Sequence, residues 1–182
     1  MTHLTGTRVA VLATNGFEDS ELTSPIAAVQ EHGAEVTVVS TDEGSITGKN
    51  GVETRVDRRS SEVSADDFDA LILPGGVANG DQIRLDADAV ALTRDFFAQQ
   101  KPVAAICHGG WILADADVLR DRTVTSYPSL RTDLQNAGAT WVDEEVVVDR
   151  GLVTSRTPDD LPAFNDAIVA AIADGSTAWT DA

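Results

Sequence analysis

Residues Thr7-Arg8-Val9-Ala10-Val11-Leu12-Ala13 form a short, nearly continuous apolar run, the pattern of a strand buried on both faces. A glycine-containing loop, Thr14-Asn15-Gly16-Phe17-Glu18, comes next. From Asp19 to His32 the apolar residues Leu22, Ile26 and Val29 recur at helical spacing, and Gly33 ends the segment as a helix C-cap would. Pro25, inside that stretch, predicts a bend or a restart. Glu35-Val36-Thr37-Val38-Val39-Ser40 reads as a second strand, completing a right-handed strand–helix–strand unit.

The pattern then changes. Asn50-Gly51, between Ile46-Thr47-Gly48-Lys49 and Val52-Glu53, predicts a hairpin that stands off the main sheet as a flap. Phe68-Asp69-Ala70-Leu71-Ile72-Leu73 is another buried strand, stopped by Pro74-Gly75-Gly76. Ala89, Val90, Leu92, Phe96 and Phe97 mark an amphipathic helix from Asp86, its predicted N-cap, to Gln100, and Lys101-Pro102 breaks it. Val103-Ala104-Ala105-Ile106 is a strand that runs into the turn Cys107-His108-Gly109-Gly110, with a helix from Trp111 to Ala116 beyond. A strand over Thr123 to Ser126, a helix over Leu130 to Asn136 capped by Ser129, and a hairpin pair, Glu145 to Asp149 with Leu152 to Ser155, come next. A helix from Pro158 to Ala173 closes the pattern.

Strands and helices alternating in this order predict one α/β domain over residues 7–174, built on a mostly parallel, doubly wound sheet with helices on both faces. Residues 175–182 are expected to be a polar, loose tail.

Composition narrows the partners. Thirty acidic residues against 13 basic ones give a formal net charge of −17. That field repels phosphate backbones and anionic lipid, so neither a nucleic-acid nor a membrane partner is expected. Lys49 and Lys101 are the only lysines, and most of the acids are Asp. An Asp-rich, Lys-poor surface is suited to staying hydrated in concentrated salt, and a salt-loving source is the expectation. No apolar run approaches the roughly 20 residues of a membrane span. The first residues lack the basic-then-apolar order of a secretion signal, and the cytoplasm is the compartment expected.

A single cysteine excludes an internal disulfide and a multi-thiolate zinc site. Neither GxGxxG nor GxxxxGK[ST] occurs, so no dinucleotide or P-loop cofactor is expected, and no other cofactor or metal is expected either.

The chemistry is expected where the carboxyl ends of the parallel strands meet. Three separated loops end there: Asn15 to Asp19, Pro74 to Asp81 and Cys107 to Gly110. Cys107 lies where a buried strand turns sharply into a helix, the setting of a nucleophile elbow. The adjoining helix N-terminus is expected to favour a thiolate and lower the thiol pKa. Of the three histidines, His3 is in the leader and His32 ends the first helix at the far edge, so an imidazole base must be His108. Glu18 either lies against the thiol or serves as a helix cap, and Asp19 competes for the role. Gly75 and Gly76 carry backbone N–H groups suited to an oxyanion hole, completed by the N–H of His108.

The segments Gly16-Phe17-Glu18-Asp19 with Glu21-Leu22, Leu73-Pro74-Gly75-Gly76, Ala105-Ile106-Cys107-His108-Gly109, Thr125-Ser126-Tyr127-Pro128 and Glu145-Val146-Val147-Val148-Asp149 resemble the PfpI family of intracellular cysteine peptidases, within the class I glutamine amidotransferase-like superfamily. The resemblance runs in order from about Arg8 to Ile172. It implies a flavodoxin-like fold, with Cys107 as nucleophile, His108 as its partner, Glu18 as the carboxyl group against the thiol, and Gly109 and Tyr127 lining the site. It also implies a homo-oligomer (dimer, trimer or hexamer) in which an acid from a neighbouring subunit completes a triad, and Asp81 is the matching residue. Asp81 is an Asp where the peptidase pattern has Glu, in a loop one residue longer, and its reach is shorter. Members of such a family act on peptides or on dicarbonyl (glycation) adducts in stress protection. The alternative is a redox sensor or holdase that uses an oxidisable Cys107 without turnover.

Overall fold

The computed structural model describes residues 3–179. A central seven-stranded sheet is built from β1 (Arg8–Leu12), β2 (Glu35–Ser40), β5 (Arg58–Arg59), β6 (Ala70–Leu73), β7 (Val103–Ile106), β10 (Val146–Asp149) and β11 (Leu152–Ser155). The flap strands β3 (Ser45–Thr47) and β4 (Glu53–Arg55), and the small pair β8 (Thr123–Val124) and β9 (Thr140–Trp141), form two separate sheets. The helices are α1 (Asp19–Glu31), α2 (Val77–Ile83), α3 (Ala87–Ala98), α4 (Ile112–Asp115), α5 (Arg131–Asn136) and α6 (Leu161–Asp174).

The spatial order is β10-β11-β7-β6-β1-β2-β5, parallel except for β10. Its five inner strands, taken in chain order, lie 2-1-3-4-5, the flavodoxin-like arrangement, and the winding reverses between β1 and β6. Alternation along β1 shows why the sheet is doubly wound: Val9 and Val11 face one core with Phe17, Leu22, Val29 and Phe164, while Ala10 and Leu12 face the other with Leu92, Phe96 and Ile112. With both faces covered, the sequence shows unbroken apolar runs.

α1 runs through Pro25 without interruption, Asp86 caps α3 by accepting from the Ala89 N–H at 2.7 Å, and the β3–β4 hairpin stands off the sheet as expected. Other expectations change. The stretch after Pro-Gly-Gly is a helix, α2, because Asn79 is pulled inward: its amide donates to the Pro74 and Gly75 carbonyls and accepts from the Thr14 N–H. Ser129 caps no helix and lies in a 3-10 turn, Pro128–Leu130. The tail continues from α6 as a 3-10 turn, Gly175–Trp179, with the Trp179 ring edge-on to Phe97 at 5.6 Å. The rest of the expected tail lies outside the described residues. Among the described residues no helix is long and apolar enough to cross a membrane.

Candidate active site

Cys107 follows β7 directly and opens a 3-10 turn, Cys107–Trp111, with φ of +60°. A non-glycine residue in the left-handed region stores strain, and here the strain turns the side chain back toward the strand ends. Two glycines make the turn possible. A Cβ on Gly109 would come within 2.6 Å of the Pro74 carbonyl oxygen and closer still to that of Leu73. Gly76, at φ +95°, lets the Pro-Gly-Gly loop pass the Gly16 carbonyl and the Glu18 N–H. The three loops expected to converge do so, around a cleft of about 670 Å³ lined by Glu18, Glu21, Lys49, Cys107, His108 and Tyr127, among others.

His108 Nδ1 lies 3.3 Å from Cys107 Sγ, and its Nε2 lies 3.2 Å from Ser129 Oγ. The Ser129 contact suits the tautomer with a proton on Nε2, leaving Nδ1 free to accept from the thiol. Burial, with the nearby Lys49 charge, holds the imidazole below its ordinary pKa, so His108 is neutral at pH 7. Tyr127 stacks on the ring, centroids 4.7 Å apart and planes at 26°, fixing its orientation.

The carboxyl group beside the thiol is that of Glu21, not Glu18: Glu21 Oε2 and Cys107 Cβ both crowd the position a Cβ on Gly75 would take. Glu21 is fully buried; its Oε2 accepts from the Gly75 N–H at 2.9 Å, and its Oε1 has no hydrogen-bond partner among the described residues. Burial, reinforced by the charge of Glu18, pushes its pKa up to about 8, so Glu21 carries a proton at neutral pH. Glu18, the N-cap position of α1, makes no capping bond; it turns into the same cleft and pairs with Lys49. Asp19 faces the flap instead, accepting from the N–H groups of Asn50 and Val52.

The expected ionised thiol is corrected. Cys107 is only 8 % exposed, and burial, with repulsion from Glu21 once that group ionises at higher pH, pushes its pKa up to about 12. The N–H groups of His108 and Gly76 point at sulfur and oppose that rise, but the helix behind the turn is one 3-10 segment and a single α turn, too short for a strong dipole. Gly76 and His108 thus present the donors expected of an oxyanion hole, while the Gly75 N–H is taken by Glu21. Gly109 serves close packing and does not line the cleft. Asp81, exposed on α2, bonds the neighbouring Gln82 and is not brought to the cleft of its own chain.

Sequence reasoning alone misses Glu21, Lys49 and Ser129. One signal for Glu21 is present in the chain: with Pro25 and Val29 it repeats every four residues on the buried stripe of α1, an unusual place for a carboxylate. Lys49 and Ser129 arrive on a flap and a turn whose docking no local pattern encodes. Among the described residues no cluster of His, Cys, Asp or Glu side chains is arranged to hold a metal ion.

Residues 7–171 match the DJ-1/PfpI family. The chain is 50 % identical over 157 residues to Deglycase TK1284 of Thermococcus kodakarensis, covering 86 % of this chain and 94 % of that protein. It is 49 % identical over 163 residues to General stress protein 18 of Bacillus subtilis, covering 88 % and 94 %. The crystal structure of a ThiJ/PfpI domain protein from Brachyspira murdochii superposes with a TM-score of 0.86 at 30 % identity, covering 92 % of this chain and 96 % of that one.

Proposed function

The chain belongs to the DJ-1/PfpI family, and we propose that it is a cysteine-dependent hydrolase that removes dicarbonyl adducts from amines or cleaves peptides, with Cys107 as nucleophile. The observation that carries this reading is the strained Cys107 with the His108 Nδ1 at 3.3 Å and a protonated carboxyl group against its sulfur, at the floor of an open cleft. Deprotonation accompanies the reaction in this scheme. As Cys107 Sγ bonds to the substrate carbon, its proton passes to the neutral His108. The N–H groups of Gly76 and His108 stabilise the charge that develops beside sulfur. The carbon–nitrogen bond then breaks, the amine leaves with the proton from His108, and water cleaves the carbon–sulfur bond. Glu21 stays protonated beside the sulfur throughout.

Wild type and Cys107→Ala, freshly reduced, should differ in hydrolysis of methylglyoxal adducts or in casein cleavage. No Cys107-dependent turnover on either substrate would remove the enzyme reading. It would leave the one that the protonated Glu21 also suits, a sensor whose sulfur is oxidised by peroxide to a sulfinate that accepts the Glu21 proton. We place Asp81 in trans, as the acid that a second copy of the chain supplies at the cleft rim. Gel filtration of a strict monomer would remove that part. The compartment proposed is the cytoplasm, where a lone thiol stays reduced.

A further inference from the structure

Only one lysine or arginine lines the cleft among the described residues, and it is Lys49. It is also one of just two lysines in a chain that otherwise uses arginine for its cations. Lys49 does not belong to the central sheet. It sits in the β3–β4 connection, which the chain attaches to the crevice by specific bonds. The Lys49 N–H donates to the Phe17 carbonyl at 2.9 Å, and the Gly16 N–H donates to the Thr47 carbonyl at 2.8 Å. Asp19, buried at the start of α1, accepts from the Asn50 N–H at 2.9 Å and the Val52 N–H at 2.8 Å, one on either side of Gly51. Gly48 packs directly on the same carboxylate, where a Cβ would lie 2.7 Å from its atoms. The hairpin tip is therefore clamped over the cleft, with its ammonium group paired to Glu18.

This clamp has an electrostatic consequence. The groups that face the sulfur are Glu21 and Glu18 from the α1 side, His108 on the elbow, Tyr127 beyond it, and Lys49 from the flap. Of these, only Lys49 carries a fixed positive charge. Its interaction with Glu18 is attractive, as it is with Glu21 or Cys107 whenever either ionises, and it also helps hold His108 neutral. It keeps Glu18, half-buried in the same cleft, from adding an uncompensated negative charge beside the sulfur.

We propose that Lys49 is a positioning residue for Cys107: the flap, clamped by Asp19, carries the cleft's cation to the elbow, where it neutralises Glu18 and offsets charge on sulfur as the thiol ionises. The proposal rests on Cys107 being the nucleophile but not on which substrate it attacks. It assigns the flap a chemical task besides covering the cleft. A lysine suits the position because a compact ammonium on a flexible stem can stay paired to Glu18 while the sulfur changes charge.

The test is the pH profile of iodoacetamide alkylation of reduced protein at low ionic strength, which needs no substrate and so is separable from failure of the hydrolase reading. Lys49 is half exposed, and Lys49→Met should fold as wild type does. Loss of the cation should raise the midpoint of the profile and slow alkylation near neutral pH by about tenfold, the equivalent of one pH unit. Lys49→Arg should restore most of the rate, because the charge is kept. Asp19→Asn leaves Lys49 in the chain but weakens the clamp, and should give part of the same slowing. A Lys49→Met profile that coincides with wild type would overturn the proposal, as would a failure of Lys49→Arg to recover the rate. An Asp19→Asn profile identical to wild type would overturn the role given to the clamp.

Discussion

Glu21→Gln removes the carboxyl group that the fold keeps neutral beside the sulfur. The unfolded chain releases the Glu21 proton near pH 4.5, whereas burial holds it in the folded protein up to about pH 8. Between those values the folded state binds a proton that the unfolded state has lost, so the Glu21 contribution makes the protein less stable as pH rises across that window. The interval, at about 1.4 kcal/mol per pH unit, bounds the effect at about 5 kcal/mol. The Lys49 cation and water in the cleft reduce it, and about 2–3 kcal/mol is expected. Gln cannot ionise, and fitting its amide into the buried place of the carboxyl costs about 1 kcal/mol at every pH. Urea unfolding of both proteins, at constant salt, should therefore show the variant slightly less stable at pH 5 and the more stable of the two at pH 8.5. Other titrating groups cancel in the comparison. If the gap between the two proteins were the same at both pH values, the assignment of a protonated Glu21 would be wrong.

Gly109→Ala should cost about 3 kcal/mol or more in urea unfolding, because its Cβ would meet the backbone oxygens of Leu73 and Pro74, which cannot yield without moving β6; a loss under about 1 kcal/mol would contradict the close packing that forms the elbow. Raising KCl from about 0.1 to about 2 M should raise the melting temperature by about 5 °C, since screening relieves the self-repulsion of a −17 charge. A melting temperature that falls steadily over that range would remove the reading of the acidic surface as an adaptation to salt.

The buried strands were legible because a sheet covered on both faces demands apolar residues at every position, and Val9 to Leu12, Ala70 to Leu73 and Val103 to Ile106 supply them. The elbow was legible for a related reason: a cysteine followed by His and two glycines at a strand end has few other uses. The α2 helix was not, because Asn79 and Gly80 disfavour a helix locally and are held in one by Thr14, Pro74 and the packing under His108.

The choice between Glu18 and Glu21 shows most sharply where the two sources of information divide. Chain chemistry alone determined that a thiol, an imidazole and at least one carboxyl group would gather at the carboxyl edge of a parallel sheet, since hydrophobic alternation and winding order place those loops together. Only the tertiary structure decided which acid meets the sulfur, that the thiol is buried and protonated, and that a flap lysine neutralises the other acid. Proton affinities depend on the full three-dimensional surroundings of a group, and residues as distant as Glu21, Lys49 and Gly75 acquire their electrostatic relation to Cys107 only when the chain has closed around them.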